Sequence, residues 1–584
     1  MDTLPGFIPK PTFRFKPRTF SVLRGYDRHR AVGDSLAGVT VGLIALPLAL
    51  ALGVASIPTG LATPSPAPAI GIFTAIIGGF VVSLLGGSRV QIAGPTAAFV
   101  TVVLFVITKH GFDGLLLATL MAGVILIVMG LTGMGNLIKF IPYPVTSGFT
   151  TGIAVALIAG QLVSFLGIHA DTPAPTEFFE RVEWIIRHLA QVNPATVVLA
   201  LGSAVFIFFW PQFSERLGLR RLPGPFAAMI VSAGIVAVLG WEKSQGVATV
   251  GSQFGPFAIP RHLPPLTFPT FSLDRVHDLL GAATTIALLG AIESLLSAVV
   301  ADGLADDRHD SNTELIAQGV ANLTTPLFGG LPVTGAIART SANVKEGGRT
   351  PVAGMVHAVT LLLIVLFFAP FAQYVPMGTI AAVLIVVALR MGEWHELTRL
   401  RKMPGSDALV LLTTFSLTVI FDLVVAVEVG MVLAAVLFIR RMADTTEISQ
   451  VTSADELETP EQIAHGKEIP EGVLVYRIFG PFFFGAAEKM EDALQRAGKL
   501  PKILILRLQL VPAMDATALN ALESIVERMQ NAGGTVILSG PHRQPLEMMI
   551  RDGFIERLGR KNVRAHFDDA LTRAREVLAQ GKAK

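Results

Sequence analysis

The sequence predicts a polytopic α-helical membrane protein of about 14 spans, arranged as two inverted 7-span repeats and followed by a small α/β domain. Three observations predict it. Only 15% of the 584 residues are charged while 52% are hydrophobic, and the missing charge returns near the C-terminus. A soluble chain of this length holds about a quarter charged residues, so the chain reads as two environments, lipid first and water second. Two short apolar helices, each preceded by a Gly- and Pro-rich stretch, occupy corresponding positions in the two halves. Beyond Gly472 the pattern turns to alternating strand and helix.

Composition excludes several classes. The net charge of +2 is too small to argue for a nucleic-acid partner. Cysteine is absent, which removes disulfides and thiolate metal sites. The basic N-terminus has no apolar core and is not a cleavable signal peptide. No P-loop, zinc-ligand set or nucleophile motif appears, so neither a cofactor nor an enzyme activity is expected.

A bilayer crossing needs about 20 apolar residues. The runs that qualify with their flanks include Ala37–Ile57, Gly114–Leu131, Thr196–Trp210, Phe226–Leu239, Gly281–Val300, Val352–Phe368, Val383–Leu389, Ala408–Ile420 and Val424–Ile439. Basic clusters set the orientation: Lys10 to Arg30, Arg216 to Arg221, Lys345 and Arg349, Arg390 to Lys402, and Arg440 with Arg441. With both termini cytoplasmic and seven spans on each side of Trp241–Asp278, all these clusters lie on the cytoplasmic side. The expected organisation is an N-terminal segment 1–30, a transport domain 31–441 with repeats at about 31–241 and 279–441, a linker 442–471 and a cytoplasmic domain 472–584. In the last of these, Val473–Ile478, Ile503–Leu508 and Thr535–Leu538 read as strands, and Ala486–Ala497 and Ala516–Gln530 as helices.

The two matched breaks are Arg89–Phe99 (Arg-Val-Gln-Ile-Ala-Gly-Pro-Thr-Ala-Ala-Phe) and Gly329–Arg339 (Gly-Gly-Leu-Pro-Val-Thr-Gly-Ala-Ile-Ala-Arg). Each is an extended stretch followed by a short helix, Ala97–Ile107 or Gly335–Val344. Because the second half enters from the opposite face, the two helix N-termini are expected to meet near the midplane. Each such end carries unpaired N–H groups and about +0.5 of a charge, so a facing pair forms an anion site. Glu293 lies within Gly281–Val300, where a lipid-facing charge is costly; it is expected to face the interior, with Ser297 one turn on. These two residues serve either proton uptake or sodium coordination. Arg339 supplies positive charge to the cavity or snorkels to the interface. His357 is a further proton-relay candidate. The acidic cluster from Asp302 to Asp310 reads as a solvated loop.

These residues resemble the sulfate permease (SulP) family of anion transporters. The likeness lies in Tyr26 with Asp34–Gly42, Gln91–Thr96, Glu293–Ser297 with Ala301-Asp302, Gln318–Asn322, and Arg339–Asn343 with Gly347–Pro351. Asp515-Ala-Thr517 resembles the signature of STAS domains. The resemblance implies core and gate domains moving in an elevator-like cycle, and a homodimer. It implies substrate contacts at Thr96, Ala97, Glu293, Thr334, Gly335, Ala336 and Arg339, with Leu46–Leu52, including Leu48, closing the pocket. Leu48 stands where many members have Gln, and Glu293 where sodium users have Asp. The expected substrate is therefore a bicarbonate- or carboxylate-like anion, with sulfate in the same class, and the expected coupling ion a proton. A sodium-coupled bicarbonate symporter, an exchanger or channel-like protein, and a nucleobase permease are the alternatives. Thr517 is a possible phosphorylation site through which a cytoplasmic regulatory protein would act, or simply a first-turn helix residue. A bacterial inner membrane suits the short loops.

Overall fold

The computed structural model describes residues 15–451 and 469–582, apart from 24, 59, 137–141, 171–173, 220, 263, 422, 484–488, 491 and 495–500. Lys10, Arg14, Arg24, Arg220, Asp171, most of the expected linker and much of the expected helix Ala486–Ala497 lie outside the described residues. The chain divides into two compact units, Met1–Met431 and Val432–Lys584.

In chain order the first unit contains α1 (Arg28–Ser56), α2 (Ala67–Leu85), β1 (Ala93–Gly94), α3 (Ala98–Leu131), α4 (Tyr143–Leu166), α5 (Pro194–Arg216) and α6 (Gly224–Leu239). It continues with α7 (Leu273–Ala305), α8 (Ser311–Thr324), β2 (Thr334–Gly335), α9 (Ile337–Lys345), α10 (Pro351–Phe368), α11 (Met377–Met391) and α12 (Gly405–Ile420). Helix α13 (Leu423–Thr445) runs across the division between the units. Among the described residues, seven helices are long and apolar enough to cross a membrane, or up to eight if a bent pair beginning at Met377 counts as one. The expected spans Ala97–Ile107 and Gly114–Leu131 are the two arms of α3, divided at Gly111, whose φ of 72° is open to glycine at little cost. Helix α8 was not among the singled-out runs, because Ser311, Asn312, Thr313, Glu314, Gln318 and Asn322 dilute its hydropathy.

Helix α5 shows why the unit belongs in lipid. It exposes Val198, Leu201, Val205 and Phe208 at helical spacing and buries Thr196, Ser203 and Ser214. Large contiguous apolar exposure of this kind is unfavourable in water. Inside the unit, polar groups are buried but partnered. Asp34 of α1 accepts hydrogen bonds from the Arg349 and Thr350 amides at 2.7 and 3.1 Å, from the Thr350 hydroxyl, and from Tyr26 Oη at 3.0 Å. Burial and the Asp34 carboxylate push the Tyr26 phenol up to about 12, so it remains a donor. This set fixes the start of α10 to α1. Glu314 of α8 does the same for the approach to β1, accepting from the Gly87 and Ser88 amides at 2.9 and 3.2 Å and from Gln318 Nε2 at 3.0 Å.

In the second unit, five strands stand side by side in sequence order: β3 (Glu447–Gln450), β4 (Val473–Phe479), β5 (Ile503–Leu510), β6 (Thr535–Ser539) and β7 (Val563–Arg564). The last four are parallel and β3 is antiparallel to β4. Strand β3 falls in what the sequence reads as linker, because four residues with two polar ends carry too short a pattern to register. Helix α14 (Ala516–Asn531) covers Leu504, Leu506 and Leu538 on one face. Helices α15 (Arg543–Arg551) and α16 (Phe554–Leu558) follow β6 and pack on the same cluster. Helix α17 (Phe567–Lys582) covers Val475, Ile505 and Ile537 on the other face.

Replacing Asp34 by Ala leaves two amides and two hydroxyls without their common acceptor. We expect a loss of about 3 kcal/mol in stability of the first unit. The check is the melting temperature of purified protein by size-exclusion fluorescence, with Asp34→Asn falling less because it keeps one acceptor oxygen.

Candidate functional site

The two Gly-rich stretches meet. Strands β1 and β2 pair antiparallel, Ala93 opposite Gly335 and Gly94 opposite Thr334. Pairing of two residues each satisfies few backbone groups, and extended backbone within a helical membrane unit must have partners. Side chains supply the rest. The Ile92 amide donates to Thr340 Oγ1 at 3.0 Å, and Asn343 Nδ2 donates to the Val90 carbonyl at 2.8 Å. On the other strand Asn322 clamps Val333 from both sides: its Nδ2 donates to the Val333 carbonyl and its Oδ1 accepts the Val333 amide, each at 2.8 Å. Thr74 Oγ1 accepts the Leu331 amide at 2.8 Å. Thr340, Asn343, Asn322 and Thr74 are thus the residues that make the crossing possible. Three of them, Thr340, Asn343 and Asn322, lie in the motifs given above, where the sequence alone assigns them no task. Thr340 and Asn343, polar residues just beyond the second Gly-rich stretch, are the signal the sequence offers; Asn322 and Thr74 precede the stretches they serve.

Beyond the crossing the chain turns into α3 on one side and α9 on the other. Neither start has a side-chain cap: the residues before the helices are Ala97 and Ala336. Uncapped first turns keep their N–H groups and partial positive charge for whatever lies in front. Exposure is concentrated there. Thr96 is partly exposed in an otherwise buried stretch from 90 to 100, and Ile337 and Ala338 are exposed directly after the buried stretch from 330 to 336.

Three charged or polar side chains converge on this place. Thr96 Oγ1 donates to Glu293 Oε2 at 2.8 Å. Glu293, in the middle of α7, is also partly exposed. Arg339, only 2% exposed, donates from Nη2 to the Pro95 carbonyl at 2.5 Å. Its Nη1 is buried with no hydrogen-bond partner among the described residues. Gly94 makes room for it: a Cβ there would lie 2.5 Å from Nη1. Arg339 is therefore inside the crossing and does not reach an interface.

The remaining expected residues are placed as follows. Thr334 is buried and donates from Oγ1 to the Gly290 carbonyl at 2.9 Å, tying β2 to α7. Gly335 lies against Gln91, whose Nε2 donates to the Ser294 carbonyl at 3.1 Å. The Ala336 amide donates to the Ile92 carbonyl at 2.8 Å. Ala97 packs in one apolar cluster with Leu46, Leu50 and Leu52 of α1. Leu48 instead faces Ile207, Ala228, Val383 and Val386. Ser297 is buried and donates to Thr340 Oγ1 at 3.1 Å, so its hydroxyl also braces the crossing. Thr517 is exposed in the first turn of α14, where Asp515 caps the helix through the Ala518 amide at 2.8 Å.

Residues 32–414 match the family model described as the Sulfate permease family, and residues 466–570 match that of the STAS domain. The chain belongs to the sulfate permease family. YvdB of Bacillus subtilis (strain 168) is 38% identical over 94% of this chain and 98% of its own length. The bicarbonate transporter BicA of Picosynechococcus sp. is 31% identical, with 87% of this chain and 88% of BicA covered. The solved structure of SLC26A9 shares the fold, with a TM-score of 0.82 over 97% of this chain and 93% of that one at 18% identity. The protein is accordingly an integral membrane anion transporter with a C-terminal STAS domain, and not an enzyme.

Gly335→Ala forces its methyl group into Gln91 and toward Ser294 Cα, 3.1 Å away. Overpacking of this kind costs about 1–3 kcal/mol. We expect anion uptake by the reconstituted variant to fall about tenfold or more with the protein still monodisperse, because such a displacement at the reacting geometry is a factor of about ten per 1.4 kcal/mol. Retained wild-type uptake would show that the close approach is unimportant.

Proposed function

We propose that the protein moves a small anion of the bicarbonate, dicarboxylate or sulfate class, with uptake coupled to protons. The observation that carries this reading is the buried, unpartnered Arg339 Nη1 at the meeting of two uncapped helix starts. A permanent guanidinium donor beside two positive helix ends is an electrostatic complement to an oxyanion. Thr96, Ala97, Thr334, Gly335, Ala336 and Arg339 form the substrate site in this reading, with Leu46, Leu50 and Leu52 of α1 as its apolar wall and Leu48 outside it. The relatives span this class: one at 38% identity is named a sulfate transporter and one at 31% a bicarbonate transporter.

Glu293 is the coupling group. It shares the crossing with Arg339 and holds Thr96, so its protonation changes both the charge of the site and the orientation of a substrate-facing hydroxyl. A protonated Glu293 leaves Arg339 uncompensated and favours the anion; a charged one competes with it.

The same reading includes fourteen spans in two inverted repeats, the helices α6, α8, α9, α11, α12 and α13 and the second arm of α3 completing the number. It also includes an elevator-like movement of the crossing with its clamps as one body, a homodimer, both termini cytoplasmic and a bacterial inner membrane. The STAS domain, whose sheet takes in β3 (Glu447–Gln450) from within the expected linker, carries a regulatory contact near exposed Thr517.

Two measurements test the proposal in proteoliposomes. Uptake of labelled bicarbonate, fumarate or sulfate should rise with an inward proton gradient and ignore a sodium gradient. Glu293→Gln should remove the response to pH while leaving anion binding, and Arg339→Gln should weaken binding itself by at least about tenfold, the worth of one charge-assisted hydrogen bond. Uptake driven by sodium alone, or indifferent to both gradients, overturns proton coupling. Unimpaired binding by Arg339→Gln overturns the site.

A further inference from the structure

Hydropathy leaves residues 241–278 outside the membrane, between the two halves of the first unit. The structure nevertheless turns large apolar side chains outward at the end of this segment. Leu266, Phe268, Phe271 and Leu273 are all exposed, the two phenylalanines by 72% each. The backbone beneath them is not helical: residues 264–272 run as an irregular strap into the start of α7. Pro264, Pro265 and Pro269 hold it extended and remove three amide donors. The threonines between them fasten it down. The Thr267 amide donates to the Leu327 carbonyl at 2.7 Å, and the Thr270 amide to Asp113 of α3 at 3.2 Å. The Thr270 hydroxyl and Arg275 of α7 also donate to Asp113. The strap is thus tied to α3, to α7 and to the turn before β2, while its apolar side chains stay uncovered.

The helices that hold the strap also set its depth. Helix α3 begins at the β1–β2 crossing and advances about 1.5 Å per residue, so Lys109 lies about 17 Å beyond Ala98. Helix α7 gives the same level independently. Asp278 lies about 22 Å along it from Glu293, which Thr96 holds at the crossing. With the crossing near the bilayer midplane, Lys109 and Asp278 both fall in the headgroup layer, about 15 to 22 Å from the middle. Asp113 follows Lys109 and Arg275 precedes Asp278, and their ion pair keeps Thr270 at that layer. Two other segments at this end share the feature. Asn193 Nδ2 donates to the Gln245 carbonyl at 2.8 Å, and the Val250 amide to the Val375 carbonyl at 2.9 Å. These contacts put the stretches before Asn193 and Val375 on the side of the strap. Phe179 and Ile186 are exposed in the first, and Phe367 and Phe371 in the second. On α3, Lys109 Nζ stands 5.8 Å from the centroid of the exposed Phe105 ring. Exposed aromatic rings with a cation at headgroup level are the pattern of a membrane interface; in water the same exposure is unfavourable. The exposed hydrocarbon continues along the spanning helices, at Leu280 of α7 and at Leu363 and Leu366 of α10.

We propose that the 264–273 strap lies in the headgroup layer of the outer leaflet and inserts Leu266, Phe268, Phe271 and Leu273 among phospholipid acyl chains. The strap is a lipid anchor made from irregular backbone. Its prolines and bound threonine amides lower the cost of laying such backbone at the membrane edge. The inference rests on the reading that sets the crossing at the midplane and both termini in the cytoplasm. Because α3, α7 and the turn before β2 all hold the strap, the lipid contact is fastened to the elements that form the crossing.

The chain has no cysteine, so a nitroxide label can be placed at single sites of the full-length protein. Phe268→Cys, Phe271→Cys and Phe105→Cys are each labelled and reconstituted in phosphatidylcholine vesicles. Collisions with oxygen, which concentrates in lipid, are compared with collisions with a nickel chelate, which stays in water. Phe208→Cys on α5 is the lipid reference, and Glu527→Cys on α14 the water reference; both positions are exposed. Labels at 268 and 271 should favour oxygen over nickel, as at 208 and opposite to 527, and should read shallower than 208. The proposal alone is overturned if 268 and 271 behave like 527 while 105 reports lipid. If 105 also reports water, the midplane placement of the crossing falls with it. Shielding of 268 and 271 from both reagents, with dipolar broadening between copies, overturns the proposal in favour of a second copy covering the strap.

Discussion

Extended backbone in the middle of a helical membrane unit has no ladder of its own and no water to lean on. Each amide and carbonyl left unmatched there costs several kcal/mol. The β1–β2 crossing exists because two residues on each side pair with one another and because Thr340, Asn343, Asn322 and Thr74 supply what pairing cannot. Once the crossing is satisfied, two helices can begin in the interior instead of at a surface. Their positive ends, the Arg339 guanidinium and the Glu293–Thr96 pair then share one place.

The same constraint explains where the polar residues of the first unit lie. Asp34 and Glu314 are buried carboxylates, yet each accepts several hydrogen bonds from backbone amides of a different element. They act as joints, tying α1 to the start of α10 and α8 to the approach to β1. Around these joints the helices present apolar faces outward, as α5 does with Val198, Leu201, Val205 and Phe208. The polar interior and apolar exterior are two consequences of one solvent. Lipid rewards exposed hydrocarbon and penalises any polar group without a partner.

A division of labour between glycine and larger side chains completes the site. Gly94 leaves the space that Arg339 occupies, and Gly335 leaves the space for Gln91. The motif glycines are therefore close-approach positions as much as helix breakers. That is why a break that looks like a kink in one dimension is a contact surface in three. The STAS unit is built from different physics, a parallel sheet covered on both faces.

Much of this protein was legible in one dimension. Hydrophobic runs, basic clusters and the strand–helix alternation depend on local periods of 3.6 and 2 residues, so the sequence alone determined a membrane unit followed by an α/β unit. It also determined two matched interrupted helices, and the presence of Glu293 and Arg339 in an apolar setting. Register and partnership were not legible, because they join residues far apart in the chain; the Ile92–Thr340 contact spans 248 positions. Only the tertiary structure decided that Gly94 faces Thr334, that Ser297 turns to Thr340, that Leu48 looks toward Ile207 and Val383, and that Asp113 holds Thr270. The physical reason is that periodicity states which face a residue occupies, whereas packing states what that face meets.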